Sequence, residues 1–309
     1  TYELTDFLQS DKYKQHLRNL TDNAIINEWV DLHNVMWSQN GIVSPKRFVH
    51  NVQQLAEQKD RELFTGWAQN DLPEFLLFLI ECMHNSIARG VKMNIKGNVK
   101  NNTDKLAAAC YKMLKQTYSK EYSEIMEMFY GISVSELSSI DNKTIYSHRP
   151  ENFFILDLEI PSSNCSLYDC FSSFTSYETL DGDNSWYNEK TDKKVAVKKR
   201  ITFWSLPKIL IITLKRFSFD GKKKRQELVD IPLTDLSLSK YVSGYNAKQY
   251  NYDLYAVCNH SGNTQGGHYT AYVKTNTSWT HYNDSQVERN ISENKIITPK
   301  AYCLFYRKK

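Results

Sequence analysis

Residues Gly266–Ser285, GGHYTAYVKTNTSWTHYNDS, decide how this chain is read. Residues 269–273 and 279–283 are rich in aromatic and β-branched types, the signature of strands, and the polar KTNTS between them reads as a hairpin turn. Pairing those strands carries Asn283 back towards the level of His268. An Asn side chain placed there can accept one imidazole N–H, fix the tautomer and leave the other ring nitrogen free as a base. Gly266 and Gly267, just before the histidine, remove side chains where another backbone can approach closely. The pattern is the orienting half of a Cys-His-Asn arrangement.

Outward from this hairpin the same texture continues. NFFILDLEI, AVKKRITFW, KILIITLKRFSF, QELVDIPL, YDLYAVCNH and AYCLFYRKK read as further short strands. Asp220-Gly221 signals a tight turn between two of them, with the Lys-rich run 222–225 as its solvated end. Before about residue 130 the pattern is helical. In QNDLPEFLLFLIECMHNSIARG, residues Leu72, Phe75, Leu76, Leu79, Ile80 and Met83 form one apolar stripe. Asp71 is the expected cap, Glu74 its reciprocal capping-box partner, Pro73 sits in the first turn and Gly90 marks the end. TDKLAAACYKMLKQTYSKEY reads as a second helix with Thr103 as cap, and IKGNVKNNT as the loop between. Helices followed by strands argue an α+β fold.

Composition narrows the function. At 309 residues, 41% apolar and 24% charged, the chain can bury a substantial core, and a net charge of +4 gives charge-driven nucleic-acid binding little support. There is no apolar run long enough to span a membrane. Six cysteines without a CxxC pair argue against a zinc knuckle and for a reducing, intracellular compartment, cytoplasmic or nuclear. Residue 1 is Thr, so the chain is expected to begin inside a longer product.

GGHYTAYVK…WTHYNDSQV resembles the histidine box of the ubiquitin-specific proteases, a papain-like family of deubiquitinating cysteine proteases. QNDLPEFLLFLIECMH is similar to the family's Gln-Gln-Asp-x-x-Glu-Phe-Leu helix, LPKILIITLKRFSFD to its Leu-Lys-Arg-Phe strand, and SLYDCFSSFTSYETLDGDN to the stretch entering its fingers. LSLSKY, YDLYAVCNHSG and AYCLFYRKK resemble segments around its β core. The resemblance implies a helical thumb over 1–130 and an antiparallel β palm and fingers over 131–309. It implies hydrolysis after the C-terminal Gly-Gly of ubiquitin, with ubiquitin or ubiquitinated proteins as partners and no cofactor. Carried over residue by residue, His268 is the general base, Asn283 orients it and Asp284 supports the pair. Gln69, Asp71 and Glu74, with Gly266, Gly267 and Tyr269 beside the histidine, would meet the ubiquitin tail, and the SGNTQGG loop would close over it.

Two features depart from the family. The nucleophile's Gly-Asn-x-Cys motif is missing and is expected upstream of TYELTDFL; Cys82, Cys110, Cys258 and Cys303 all sit where structural thiols are expected. The fingers' paired CxxC ligands are replaced by ELSSIDNK and NSWYNEKT, so no zinc is expected, and packing around Trp186 and Tyr187 is the substitute. Cys165 and Cys170 have no second pair and read as structural. Three readings stand: a deubiquitinating thiol hydrolase, a ubiquitin-binding scaffold without turnover, and a basic nucleic-acid-binding domain. Oligomeric state is left open.

Overall fold

Helices give way to strands at Gly131, one residue after the change of texture in the sequence. The computed structural model describes residues 1–38, 42–66, 69–218, 223–263 and 266–309. The chain packs as two units, residues 1–94 with 115–128, and residues 95–114 with 129–309.

The first unit carries helices α1 (Tyr2–Gln9), α2 (Asn23–Ser38), α3 (Lys46–Gln58) and α4 (Leu72–Ile87), residues 115–121 of α5 (Asn102–Glu121) and nearly all of α6 (Glu124–Phe129). Helix α2 lies against α3 and α4. Their interior is apolar: Ile25 and Ile26 are fully buried, with Val52, Leu55, Leu79, Met83 and Ile87 beside them. Lys59 and Asp22 pair at 2.7 Å, and Arg89 grips Glu124 through both terminal nitrogens at 3.0 and 2.6 Å.

Asp71 precedes α4 in extended conformation, with Pro73 in the first turn, but its side chain makes no capping bond, so the expected box with Glu74 does not form. The helix ends at Ile87, short of Gly90. The cap of α5 is Asn101 rather than Thr103. Its Oδ1 accepts the Asp104 amide at 2.9 Å, while Asp104 Oδ2 accepts the amides of Asn101 and Lys100. Asn and Asp three apart satisfy the open amides reciprocally, and this starts the helix one residue before Thr103.

The second unit opens with β1 (Gly131–Ser138), β2 (Ile145–Phe153) and β3 (Ile155–Glu159), then α7 (Leu167–Phe174). It continues through β4 (Glu178–Leu180), β5 (Trp186–Asn188), β6 (Lys193–Val195), β7 (Val197–Ser205), β8 (Ile209–Lys215) and β9 (Leu236–Ser237). β10 (Asn251–Gly262), β11 (Gly267–Thr275), β12 (Ser278–Asn283), β13 (Gln286–Ile291) and β14 (Ala301–Lys308) complete it. β2-β1-β7-β4 form one sheet and β5-β6 a ribbon. The large sheet runs β13-β12-β11-β10-β14-β8-β3, with β9 on β10, antiparallel except for β3 beside β8. Its core gathers Leu158, Phe171, Phe203, Leu210, Ile212, Tyr252, Val257, Trp279 and Leu304. Phe203 is fully buried among the rings of Phe153, Phe171 and Phe174, with centroids 5.5 to 6.4 Å away.

QELVDIPL keeps a strand's alternation of burial, with Leu228 exposed and Val229 and Ile231 buried, yet it joins no ladder beyond single bridges. The buried guanidinium of Arg216 takes the carbonyls of Ala301, Arg225 and Glu227 at 2.6, 3.1 and 3.1 Å, so one carbonyl of this segment serves a side chain, while Asp230 exchanges backbone bonds with Cys165 and Leu167. Asp220-Gly221 lies outside the described residues, but the arms beside it are antiparallel, with Phe217 bridged to Lys224 and the Ser218 amide on the Lys223 carbonyl at 2.9 Å. Lys224 and Arg225 are not a solvated end. Lys224 turns onto His260, and Arg225 binds the Ile160 carbonyl and the Glu227 carboxylate.

Where the resemblance places zinc ligands, the residues do not fit the metal. Asp141 Oδ1 accepts from Ser139 Oγ and the Lys143 amide, and Asn188 Oδ1 takes the Lys190 amide, so these oxygens serve their own turns. Among the described residues no three His, Cys, Asp or Glu side chains gather as metal ligands. Trp186 stacks on Tyr146 of β2 at 5.3 Å and 27°, tying the ribbon to the four-stranded sheet, whereas Tyr187 is half-exposed and bonds Asp192.

Phe203→Ala is expected to lower stability by about 3–5 kcal/mol in denaturant unfolding. A loss below about 1 kcal/mol would mean the ring cluster does not organise this core.

Candidate active site

β11 and β12 pair without a slip from Thr275↔Ser278 to Ala271↔Tyr282. Continuing that register sets Thr270 opposite Asn283 and puts His268 two residues further along the same face, the diagonal position that a long side chain can reach. The face is rooted in the core. Trp279 is 1% exposed, and Tyr272 stacks on its cross-strand partner His281 at 4.6 Å. Past these anchors, His268 Nε2 and Asn283 Oδ1 meet at 2.6 Å. The carboxamide oxygen only accepts, so Nε2 carries the proton and Nδ1 is left with its lone pair. This is the tautomer a general base requires.

Asp284 begins the two-residue turn into β13 with φ 50°, a left-handed conformation that Asp tolerates. Its Oδ2 is 3.8 Å from His268 Nε2, too far for a hydrogen bond, and the carboxylate is 79% exposed.

Gly267, directly before His268, and Gly262 opposite it are needed sterically. β10 pairs β11 through His260↔Tyr269, Ser261↔His268 and Gly262↔Gly267. A Cβ on Gly267 would lie 2.1 Å from His260 Nε2 and 2.6 Å from the Ser261 carbonyl oxygen. Gly262 has φ +125° and would meet Gly266 at 2.4 Å. Thr264 and Gln265 of the SGNTQGG loop lie outside the described residues. Tyr269, one residue past His268, turns to the opposite face and packs on His260 at 4.9 Å and Tyr302 at 6.3 Å.

Gln69, Asp71 and Glu74 belong to the helical unit. Glu74 lines a cavity there of about 450 Å³, where Asp60, Glu62 and Glu81 join it around exposed Leu63 and Leu77. Arg61, 4.0 Å from Glu81, is the cation among these carboxylates.

The cysteines stand apart from this arrangement. Burial pushes the thiols of Cys82, Cys110 and Cys170 up to about 12 and that of Cys258 up to about 11, away from thiolate chemistry. Cys165 and Cys303 are buried. Cys258 pairs Ala271 and Cys303, while His268 pairs Ser261, three residues along β10. An odd separation in a regular ladder puts Cys258 on the face opposite His268.

Sequence reading missed Lys224 and His260. A histidine before Ser261-Gly262 was visible, but nothing in the Lys run singles out Lys224 as the one turned inward.

The family model described as ubiquitin carboxyl-terminal hydrolase matches residues 1–306. Ubiquitin carboxyl-terminal hydrolase 2 of Homo sapiens is 33% identical over 322 residues, covering 99% of this chain and 51% of that protein. Ubiquitin carboxyl-terminal hydrolase Usp2 of Drosophila melanogaster is 32% identical over 321 residues, covering all of this chain and 32% of that protein. The chain thus spans about half the length of its human relative and about a third of the fly one. The SAGA Ubp8/Sgf11/Sus1/Sgf73 DUB module bound to ubiquitin aldehyde has a chain of the same fold, with TM-score 0.73 and 21% identity, covering 100% of this chain and 65% of that one. The chain belongs to the ubiquitin carboxyl-terminal hydrolase family, and its α+β fold is that of the ubiquitin-specific proteases.

Nitrogen-15 NMR of His268 is expected to show Nε2 protonated and Nδ1 bare in the neutral ring, with Asn283→Ala giving a tautomer mixture. An identical spectrum in Asn283→Ala would remove Asn283 as the group that sets the tautomer.

Proposed function

We propose that the chain is the base-bearing part of a deubiquitinating thiol hydrolase that cleaves after the C-terminal Gly-Gly of ubiquitin. The observation that carries this reading is the 2.6 Å contact between His268 Nε2 and Asn283 Oδ1 in a member of this family. None of the chain's six thiols suits the nucleophile, so it is assigned to residues preceding Thr1.

The chemistry follows from the tautomer. His268 Nδ1 takes the thiol proton, and the thiolate adds to the carbonyl carbon of the terminal glycine. The imidazolium passes that proton to the departing amine, leaving a thioester. Nδ1 then takes a proton from water, whose oxygen displaces the thiolate and frees ubiquitin. Asn283 holds the ring through both half-reactions, with Asp284 as a supporting polar residue beside it. No step needs a cofactor.

The substrate assignment rests on the family and on charge. Gln69, Asp71 and Glu74 are assigned to the ubiquitin tail, and the carboxylates around Glu74 suit an extended basic segment with apolar side chains. Gly266, Gly267 and Tyr269 are assigned to the tail beside His268. Six free cysteines support a reducing compartment. No helix among the described residues is long and apolar enough to cross a membrane. The same buried thiols favour a second reading, a ubiquitin-binding scaffold without turnover.

The full-length gene product, assayed with ubiquitin bearing a C-terminal fluorogenic amide, separates the two. His268→Ala is expected to lower kcat by about 10²- to 10⁴-fold with ubiquitin affinity retained, and Asn283→Ala by a smaller factor. Turnover that survives His268→Ala would exclude His268 as the base. Ubiquitin binding with no turnover in the wild type would leave the scaffold.

A further inference from the structure

His260 and Lys224 lie behind the strand that carries His268 and have no part in the mechanism above. His260 is 5% exposed, an uncommon setting for an imidazole. Lys224 Nζ donates to His260 Nδ1 at 3.0 Å and to the His260 carbonyl oxygen at 2.6 Å, so one ammonium holds both the ring and the backbone of a single residue. The lysine occupies Nδ1, which puts the ring proton on Nε2. That nitrogen is the atom lying where a Gly267 Cβ would be.

The ring has little freedom. Phe217 meets it edge-on at 5.4 Å, Tyr269 lies at 4.9 Å and Tyr302 at 6.0 Å. Phe217 is also the residue bridged to Lys224 across the paired arms 216–218 and 223–225. The His260 amide is held by the Lys300 carbonyl at 2.9 Å. A continuous chain of contacts thus runs from those arms through Lys224 to His260, and from its ring edge to the backbone immediately before His268.

Resting on the function proposed above, we propose that Lys224 and His260 are positioning residues for the base. Their contact fixes the height of Gly267 on the sheet, and so the placement of the His268 ring against Asn283. Neither touches the reacting atoms. Lys224 acts on His260, and His260 acts on the backbone.

Displacing a base by an ångström costs rate more than affinity. Lys224→Met in the full-length product is expected to lower kcat about 10- to 100-fold on the fluorogenic ubiquitin amide. KM should stay within about twofold. His260→Leu should behave alike. His260→Asn keeps an acceptor where Nδ1 stood but removes the Nε2 edge that abuts Gly267, so its kcat should fall with that of His260→Leu. Nitrogen-15 spectra of histidine-labelled full-length protein should show the His268 tautomer becoming mixed in Lys224→Met, His260→Leu and His260→Asn. If Lys224→Met is unfolded by calorimetry, Lys224→Gln takes its place, and unfolding of both would overturn the proposal in favour of a merely structural role. It is also overturned by a rise in KM alone, by unchanged His268 shifts, or by a His260→Asn variant that keeps wild-type kcat. Absence of wild-type turnover would defeat the functional reading, while the His268 spectra would still decide whether the pair positions the ring.

Discussion

The hydrogen bond from His268 Nε2 to Asn283 Oδ1 depends on register. A slip of one residue between β11 and β12 would send Asn283 to the other face, away from the imidazole. The slip is resisted at both ends of the ribbon. Buried Trp279 and the Tyr272–His281 stack fix the strands near the turn, and the Gly262–Gly267 approach locks β11 onto β10 beside the histidine. The site therefore sits on sheet rather than on loop, which suits side chains that must meet within tenths of an ångström.

Two faces of one strand divide the labour. His268 looks towards Asn283, and Tyr269 looks towards His260 and Tyr302, with Phe217 packed on His260. The first face holds the groups that can move a proton. The second is a packed bed of rings. Arg216 extends the same logic, since its buried guanidinium gathers three carbonyls and sets the segment 225–227 from which the inward-turned Lys224 departs.

Much of this was legible in the sequence because short-range chemistry dictates it. The hairpin over 269–283 shows in its β-branched and aromatic residues, and the pairing of His268 with Asn283 follows from counting positions along two strands. The change from helix to strand near residue 130 reads the same way. What could not be read depends on long-range partners. Asp71 looks like a cap, yet its side chain makes no capping bond, while Asn101 caps α5 because Asp104 reciprocates. QELVDIPL has a strand's alternation but makes only a single bridge, with its Glu227 carbonyl held by Arg216. Lys224 sits in a charge run whose ordinary fate is solvent, and only the fold brings His260 beside it.

The account makes this chain the acceptor of a thiol proton that none of its own cysteines supplies. Mass-spectrometric mapping of a ubiquitin C-terminal electrophile on the full-length gene product tests that most directly. The account predicts one adduct, on a cysteine preceding Thr1, formed slowly or not at all when His268 is alanine. An adduct on any of the six cysteines of this chain, or none while ubiquitin still binds, would contradict it.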